Sequence, residues 1–148
     1  MEIRRVESDK WAYLPLLLVG DEQESMIARY LDRGTLLALD DGGLRAVCVV
    51  TTEGPGVFEI KNLAVEPAFH RRGYGRAMVE QVARDCRDAG GRQLLVGTGD
   101  SPMTLPFYRA CGFREHHRVP DFFLQHYDHP IYEGGRRLVD MVYLSMDL

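Results

Sequence analysis

The stretch NLAVEPAFHRRGYGRAMVE, residues 62–80, constrains the fold more than any other part of the chain. It begins as an apolar, strand-like run, passes through a proline, and continues with three arginines and two glycines where a helical pattern starts. The spacing of Met78, Val82 and Cys86 predicts a helix over roughly 73–89, which two adjacent glycines end. A strand that leads through a glycine-rich turn into a helix indicates a crossover connection in a sheet protein.

The turn in this stretch has the properties of an anion site. The first backbone N–H groups of a helix lack partners within the helix, and the helix dipole favours negative charge there. Gly73 and Gly75 leave room for a phosphate, and Arg71, Arg72 and Arg76 can add charge-assisted hydrogen bonds. The spacing matches neither GxxxxGK[ST] nor GxGxxG, which disfavours a nucleoside triphosphatase and a dinucleotide-binding fold.

The remaining segments predict one α+β domain with a mixed sheet. Helical patterns occupy residues 9–33, with a break near Gly20, and residues 101–112. Asp21 is predicted as an N-cap and Gly34 as a C-terminal cap within the first of these. Strands are predicted at 1–6, 35–40, 44–53, 57–65, 92–98, 113–119 and 136–148, and residues 120–137 as irregular.

The bulk composition argues against several classes of protein. The 148 residues suffice for one domain with its own core, and the net charge of −4 disfavours nucleic-acid binding. The three cysteines lack CxxC spacing, which disfavours a zinc site or a disulfide framework and predicts buried free thiols. No apolar run reaches the length of a membrane span, so no membrane partner is expected. The N-terminus lacks a signal-peptide pattern, and we expect a cytoplasmic protein.

Three motifs in order, EIKNLAVEP, HRRGYG and FYRACGF, resemble the GNAT-type N-acetyltransferase superfamily. That family's coenzyme motif is Arg/Gln-x-x-Gly-x-Gly/Ala between its fourth strand and third helix, and His70 stands here where Arg or Gln is usual. The order of predicted elements also follows the family's order. The resemblance implies a single-domain GNAT fold over residues 1–148, with a mixed, mostly antiparallel sheet of about 6–7 strands and about 4 helices, splayed at strands 4 and 5.

The resemblance also implies acetyl-CoA as the acetyl donor, with no metal. It assigns a coenzyme-binding core to about 56–112 and an acceptor-side segment to about 113–148. A main-chain N–H near the start of the exposed part of strand 4 is expected to stabilise the oxyanion of the tetrahedral intermediate. The implied coenzyme-binding residues are Leu63, Ala64, Val65, His70, Arg71, Arg72, Gly73, Tyr74, Gly75, Arg76 and Tyr108.

Two residues are candidates for the proton chemistry. Tyr108 lies in the motif where family members place a tyrosine that protonates or positions the coenzyme sulfur, and a phenol is a proton donor at neutral pH. Its alternative role is that of a packed aromatic. Glu59 lies on strand 4 where many members keep a glutamate, and it is a candidate general base. A solvated or ion-paired carboxylate is the alternative for Glu59.

The acceptor side is less readable. The candidate acceptor-site residues are Asn62, Thr98, Asp100, His117 and Tyr127. Helix capping is the favoured alternative for Asp100. The histidine-rich segment 116–129 fits no metal-ligand spacing and is expected either to wall the acceptor site or to pack as an ordinary loop.

Taken together, the sequence predicts direct transfer of an acetyl group from acetyl-CoA to a primary amine of a small molecule or a protein. Cys111 lacks an evident paired base, so a covalent enzyme intermediate is disfavoured. The alternative is a non-catalytic acyl-CoA-binding sensor with the same fold. A homodimer that pairs through an exposed edge of the C-terminal strand is left open.

Overall fold

The computed structural model describes residues 1–148. Its strands form one seven-stranded sheet and a separate two-stranded ladder. The strands are β1 (Glu2–Val6), β2 (Thr35–Asp40), β3 (Leu44–Gly54), β4 (Val57–Val65), β5 (Gln93–Gly99), β6 (Arg114–Val119), β7 (Tyr132–Glu133), β8 (Arg136–Arg137) and β9 (Met141–Asp147).

Helices cover both faces of the sheet. Two short 3-10 helices, Lys10–Tyr13 and Pro67–Phe69, precede the first and third α-helices. The α-helices are α1 (Leu14–Gly20), α2 (Glu24–Ile27), α3 (Tyr74–Asp88), α4 (Leu105–Ala110) and α5 (Phe122–His126).

The sheet has the order β1-β2-β3-β4-β5-β9-β6 and is antiparallel except between β4 and β5. This parallel pair follows from the α3 crossover, as the sequence predicts. The β4–β5 ladder runs only from Val57–Gln93 to Ile60–Val96, although β4 continues to Val65 and β5 to Gly99. The two strands therefore splay apart, and residues 61–65 have no strand partner on the β5 side. The predicted α+β fold, with a mixed sheet splayed between its fourth and fifth strands, is confirmed.

Two apolar cores lie on opposite faces of the sheet. One packs α3 and α4 against the sheet, with Met78, Val79 and Val82 almost completely buried. Burial of each such side chain stabilises the folded state by about 1.5–3 kcal/mol. The other packs α1 and α2 against β2, β3 and Ala64. A bulge in β4 at Lys61 shifts the register against β3, so that Val49 faces Asn62 while Val50 faces Ile60.

Several local predictions were wrong in detail. Residues 9–33 form helices with the predicted break after Gly20, but α2 has only four residues, and Asp21 follows the end of α1 instead of capping α2. Gly34 lacks a left-handed conformation; a side chain there would approach Val49 to 2.7 Å, so it is needed for space.

The C-terminal part also differs from its prediction. The expected strand over 136–148 is divided into β8 and β9, and the expected irregular segment contains α5 and the β7–β8 hairpin. β9 lies between β5 and β6, so it has no free edge for pairing across a dimer. The proposed dimer contact through the C-terminal strand was therefore wrong.

Candidate active site

The splay between β4 and β5 opens into a cavity of about 400 Å³, which we call the splay cavity. Its walls come from the two strands, the loop after α1, the turn before α4 and the segment 123–141. Several residues that the sequence singled out come together here. They are Asn62, Leu63, Ala64, His70, Thr98, Tyr108 and Tyr127.

The start of α3 lies uncapped near this cavity. Gly73 precedes the helix with φ of +83°, and no side chain caps the helix. A methyl group at Gly73 would meet no atom within 4 Å, so the approach to its backbone is open. Arg72 lies over the ring of Phe69 at 5.1 Å, and neither Arg71 nor Arg72 has the kind of carboxylate partner that Arg76 has in Glu80. The unpaired N–H groups at the start of α3, with two guanidinium groups that lack a carboxylate partner, could hold an anion.

Other residues of the same turn serve its structure. Gly75 lets Phe107 approach, because a Cβ there would lie 3.1 Å from the Phe107 ring. Tyr74 donates its hydroxyl to Asp41 at 2.6 Å. The close approach of Phe107 is a second reason for glycine at position 75, and its contact with a phosphate stays a prediction.

His70 links the turn to the strand. Its Nε2 lies 3.1 Å from the carbonyl oxygen of Val65, so one tautomer donates a hydrogen bond that ties the turn to the end of β4. His70 lines the splay cavity, whereas Val65 does not. The imidazole thus stands between the anion site at α3 and the cavity.

Tyr108 brings a phenol to the cavity wall. The side chain is 7% exposed, and its ring contacts Phe107 and Phe113 edge to face at centroid distances of 5.1 and 5.7 Å. Its hydroxyl forms no hydrogen bond within the chain. Burial raises the pKa of Tyr108, so the phenol is fully protonated at neutral pH. A protonated phenol without a protein partner is available to donate a proton to a ligand.

Glu59 does not line the splay cavity. It lies on an adjoining cavity of about 260 Å³, which shares six lining residues with the first: Asp21, Ile60, Lys61, Gly97, Tyr127 and Met141. The carboxylate is 7% exposed and pairs with the Nζ of Lys61 at 2.9 Å. Burial raises the pKa of Glu59, against the lowering effect of Lys61. The ion-paired alternative considered for this residue is the arrangement in the structure.

Asn62 is held tightly at the cavity. Its Nδ2 donates to the carbonyl of Leu17 at 2.9 Å and to the hydroxyl of Tyr30 at 3.1 Å, while its buried Oδ1 has no partner. Gly20 packs against this amide, because a Cβ there would overlap Asn62 Oδ1 and lie 3.1 Å from the carbonyl oxygen of Leu63. The end of α1 therefore fixes the splayed part of β4.

Asp21, which the sequence predicts only as a helix N-cap, also lines the splay cavity. Its carboxylate accepts hydrogen bonds from the hydroxyls of Tyr30 at 2.8 Å and Tyr127 at 2.6 Å, the latter 106 positions away. Burial raises the pKa of Asp21, and the two hydroxyls oppose that rise. No local sequence signal reveals this role, since the tyrosines meet the carboxylate only in the folded chain.

Further polar contacts join the loop that holds Asp21 to residues 126–129, and we call this set of contacts the clasp. Gln23 Oε1 accepts from the N–H of Asp128 at 2.9 Å. His129 Nε2 lies 2.9 Å from Glu22 Oε1 and its Nδ1 lies 2.5 Å from Asp128 Oδ1, and these hydrogen bonds raise the pKa of His129. The histidine-rich segment thus closes one side of the splay cavity.

The remaining candidates lie in different surroundings. Thr98 lines the cavity and shares a 2.7 Å hydrogen bond with Thr104. Asp100 lies outside it and pairs with Arg118 at 3.1 Å rather than capping a helix. His117 stacks on a tyrosine of β9 outside the cavity.

The cysteines and the histidine-rich segment carry no further site. Cys48 and Cys86 are buried, as predicted, whereas Cys111 is half-buried; burial raises the pKa of all three thiols. No group of three or more His, Cys, Asp or Glu side chains is arranged to hold a metal ion. None of the helices combines the length and apolar character that a membrane crossing requires.

Comparison with known proteins identifies the family. The Acetyltransferase (GNAT) family model matches residues 3–113. N-acetyltransferase YvbK of Bacillus subtilis (strain 168) is 36% identical over 137 residues, covering 90% of this chain and 87% of the relative. An IAA acetyltransferase structure from Bacillus cereus ATCC 14579 matches with a TM-score of 0.93 at 34% identity, covering 99% of both chains. A GNAT family acetyltransferase from Elizabethkingia anophelis, solved with acetyl-CoA bound, matches with a TM-score of 0.93 at 29% identity, covering 99% of this chain and 97% of that one. The chain therefore belongs to the GNAT family of acetyltransferases.

Proposed function

We propose that this acetyltransferase moves an acetyl group from acetyl-CoA directly to a primary amine, carried by a small molecule or by a protein. One observation carries the proposal. The splay cavity joins an unpaired strand edge, residues 61–65, to the unpartnered hydroxyl of Tyr108. A thioester held along that edge would have its sulfur near a proton donor.

The donor side is proposed from the contacts described above. The uncapped start of α3, with Arg71 and Arg72, takes the pyrophosphate of acetyl-CoA. The backbone of residues 63–65 takes the pantetheine arm, and a main-chain N–H near Asn62 or Leu63 stabilises the oxyanion that forms on attack. The relative from Elizabethkingia anophelis, solved with acetyl-CoA, supports this choice of donor.

The division into a donor core, about 56–112, and an acceptor side, about 113–148, needs one extension. Asp21 and Glu22 also line the splay cavity, so the loop after α1 belongs to the acceptor side. Tyr108 is the proposed acid for the leaving thiolate, worth about 10²–10⁴-fold in rate. Glu59 stays a candidate base, although its pairing with Lys61 and its separate cavity weigh against that role.

A screen of amines with acetyl-CoA tests the proposal, with free thiol as the readout and mass spectrometry of the acceptor as confirmation. We expect thiol release above background with at least one amine and an acetylated product. If acetyl-CoA binds but no amine accelerates thiol release, the chain is an acyl-CoA sensor and the proposed reaction is wrong. An acetylated cysteine recovered from the protein before amine is added would instead contradict direct transfer.

A further inference from the structure

The splay cavity contains a carboxylate that has no partner. Glu133 lies in β7, lines the cavity together with Tyr108, and is half-buried. It forms no hydrogen bond or ion pair with any residue of the chain. A half-buried carboxylate without a partner in the chain loses part of its hydration with no protein group to compensate, so a cationic ligand that pairs with it or passes a proton to it would be stabilised there.

The hairpin that carries Glu133 is firmly held. Gly134 and Gly135 adopt φ of +59° and +75° and close the turn between β7 and β8. The N–H of Leu138 donates to the carbonyl of Ile131 at 2.8 Å. Leu138 also packs so closely on Gly99 that a Cβ there would lie 2.5 Å from Leu138 Cδ1. The Glu133 carboxylate thus lies on a hairpin that is packed against the end of β5.

Glu59 differs from Glu133 in its ion pair and in the cavity that it lines. An ammonium group of the protein already neutralises Glu59, and Glu59 does not share a cavity with Tyr108. A base must reach the proton that it removes, either directly or through one water molecule. Among the two carboxylates, Glu133 alone shares the space in which Tyr108 would meet the donor.

Burial raises the pKa of Glu133, with Glu22 adding to the rise. A carboxylate with a raised pKa is a better proton acceptor at neutral pH than one with an ordinary pKa. We propose that Glu133 is the catalytic base that removes the proton from the acceptor ammonium. This assignment rests on the proposed acetyl transfer.

The proton balance closes with groups of the cavity. An acceptor arrives as R–NH3⁺ and gives one proton to Glu133, which frees the nitrogen lone pair. The lone pair forms the C–N bond at the thioester carbonyl carbon, and collapse of the tetrahedral intermediate breaks the C–S bond. Tyr108 protonates the thiolate, and the second nitrogen proton restores the phenol. Glu133 releases its proton to solvent, so one proton leaves for each amide and free thiol formed.

The test uses two isomeric probes, benzylamine and 4-methylaniline. Benzylamine is mainly protonated at neutral pH and needs a base, whereas 4-methylaniline is mainly neutral and does not. We expect Glu133→Gln to lower kcat/KM for benzylamine about 10²–10⁴-fold and to leave that for 4-methylaniline almost unchanged. Glu133→Asp should recover part of the benzylamine activity, and Glu115→Gln, on exposed β6, is the charge-matched control.

Several results would overturn the assignment. Equal losses with both amines would indicate a structural role, and a benzylamine loss no larger than that of Glu115→Gln would indicate no role. A selective benzylamine loss in Glu59→Gln instead would return the base to Glu59. Unfolding curves and acetyl-CoA affinity of Glu133→Gln show whether the variant is intact. Wild-type protein that acetylates neither probe and no amine of the screen would refute the acetyl transfer itself, which is a distinguishable outcome.

Discussion

Substituting Phe for Tyr108 removes one oxygen atom from the wall of the splay cavity. The hydroxyl has no hydrogen-bond partner in the chain, so the folded state loses no internal hydrogen bond. The edge-to-face contacts with Phe107 and Phe113 involve the ring and remain. We therefore expect the free energy of unfolding to change by less than about 0.5 kcal/mol.

The same substitution at Tyr30 is a matched control. The Tyr30 hydroxyl donates to Asp21 at 2.8 Å and accepts from Asn62 at 3.1 Å. Its loss removes a hydrogen bond to a buried carboxylate, worth about 1.5–3 kcal/mol, and deprives Asn62 of an acceptor. We expect Tyr30→Phe to lower the free energy of unfolding by about 2–3 kcal/mol and Tm by about 4–12 °C.

The effects on activity should have the reverse order, with the larger loss in Tyr108→Phe. If the phenol of Tyr108 protonates the leaving thiolate, Tyr108→Phe lowers kcat by about 10²–10⁴-fold, which is about 2.7–5.5 kcal/mol of activation free energy. The KM for acetyl-CoA should change little, because the pyrophosphate contacts lie at α3. At temperatures where it is folded, Tyr30→Phe should keep most of its kcat.

Urea unfolding and thiol release under saturating amine measure both quantities. Undiminished kcat in Tyr108→Phe would refute the assignment of the acid. Equal stability losses in the two variants would refute the argument from hydrogen-bond partners. A large rise in KM for acetyl-CoA in Tyr108→Phe would show that the hydroxyl binds the donor instead of acting on the leaving group.

Other predictions follow from the remaining contacts. Arg72→Ala should raise the KM for acetyl-CoA about tenfold at low salt and less at high salt, whereas Arg84→Ala, further along α3, should leave this KM unchanged. Equal effects of the two substitutions would show that the Arg72 guanidinium does not bind the donor. Gly20→Ala should destabilise the fold by about 1–3 kcal/mol because its methyl group overlaps Asn62, while Gly54→Ala, with open space around it, should be neutral or slightly stabilising in denaturant titrations. The raised pKa of His129 makes its stabilising effect on the clasp complete below about pH 6.5 and lost as pH rises through its folded-state pKa. The rate of limited proteolysis at residues 126–129 should therefore increase as the pH rises from about 6.5 through the folded-state pKa of His129. A cleavage rate that does not change over this pH range would contradict the proposed role of the His129 charge.

The parts of the fold that the sequence predicted well are those with strong local signals. α3 carries five buried residues at helical spacing, so its pattern, its glycine start and its end could be recognised without a structure. Residues 9–33 had a similar pattern, but α2 has a single turn, and so short a helix depends on tertiary packing rather than on its own propensity. The β7–β8 hairpin is equally short and lies in a segment that was predicted as irregular.

The same reasoning explains which site residues could be predicted. The proposed donor side consists mainly of two continuous pieces, residues 62–76 and the helix that carries Tyr108, and their glycine, arginine and aromatic spacing is visible in the sequence. The packing role of Gly75 was not predicted, because its contact with Phe107 joins two separate helices. A local pattern can show that a glycine is required without showing what approaches it.

The residues of the proposed acceptor side are far apart in the sequence and form no comparable local pattern. The polar groups of the proposed acceptor site come from the loop at Asp21, from Asn62, from Tyr127 and from Glu133, and the clasp holds the C-terminal segment against that loop. The proposed donor site combines backbone N–H groups, which any residue type would supply, with Arg71 and Arg72, whereas the proposed acceptor site consists of side chains on separately anchored elements. We therefore expect that substitutions at acceptor-side residues other than the proposed base Glu133 can alter which amine is accepted while the donor site remains intact.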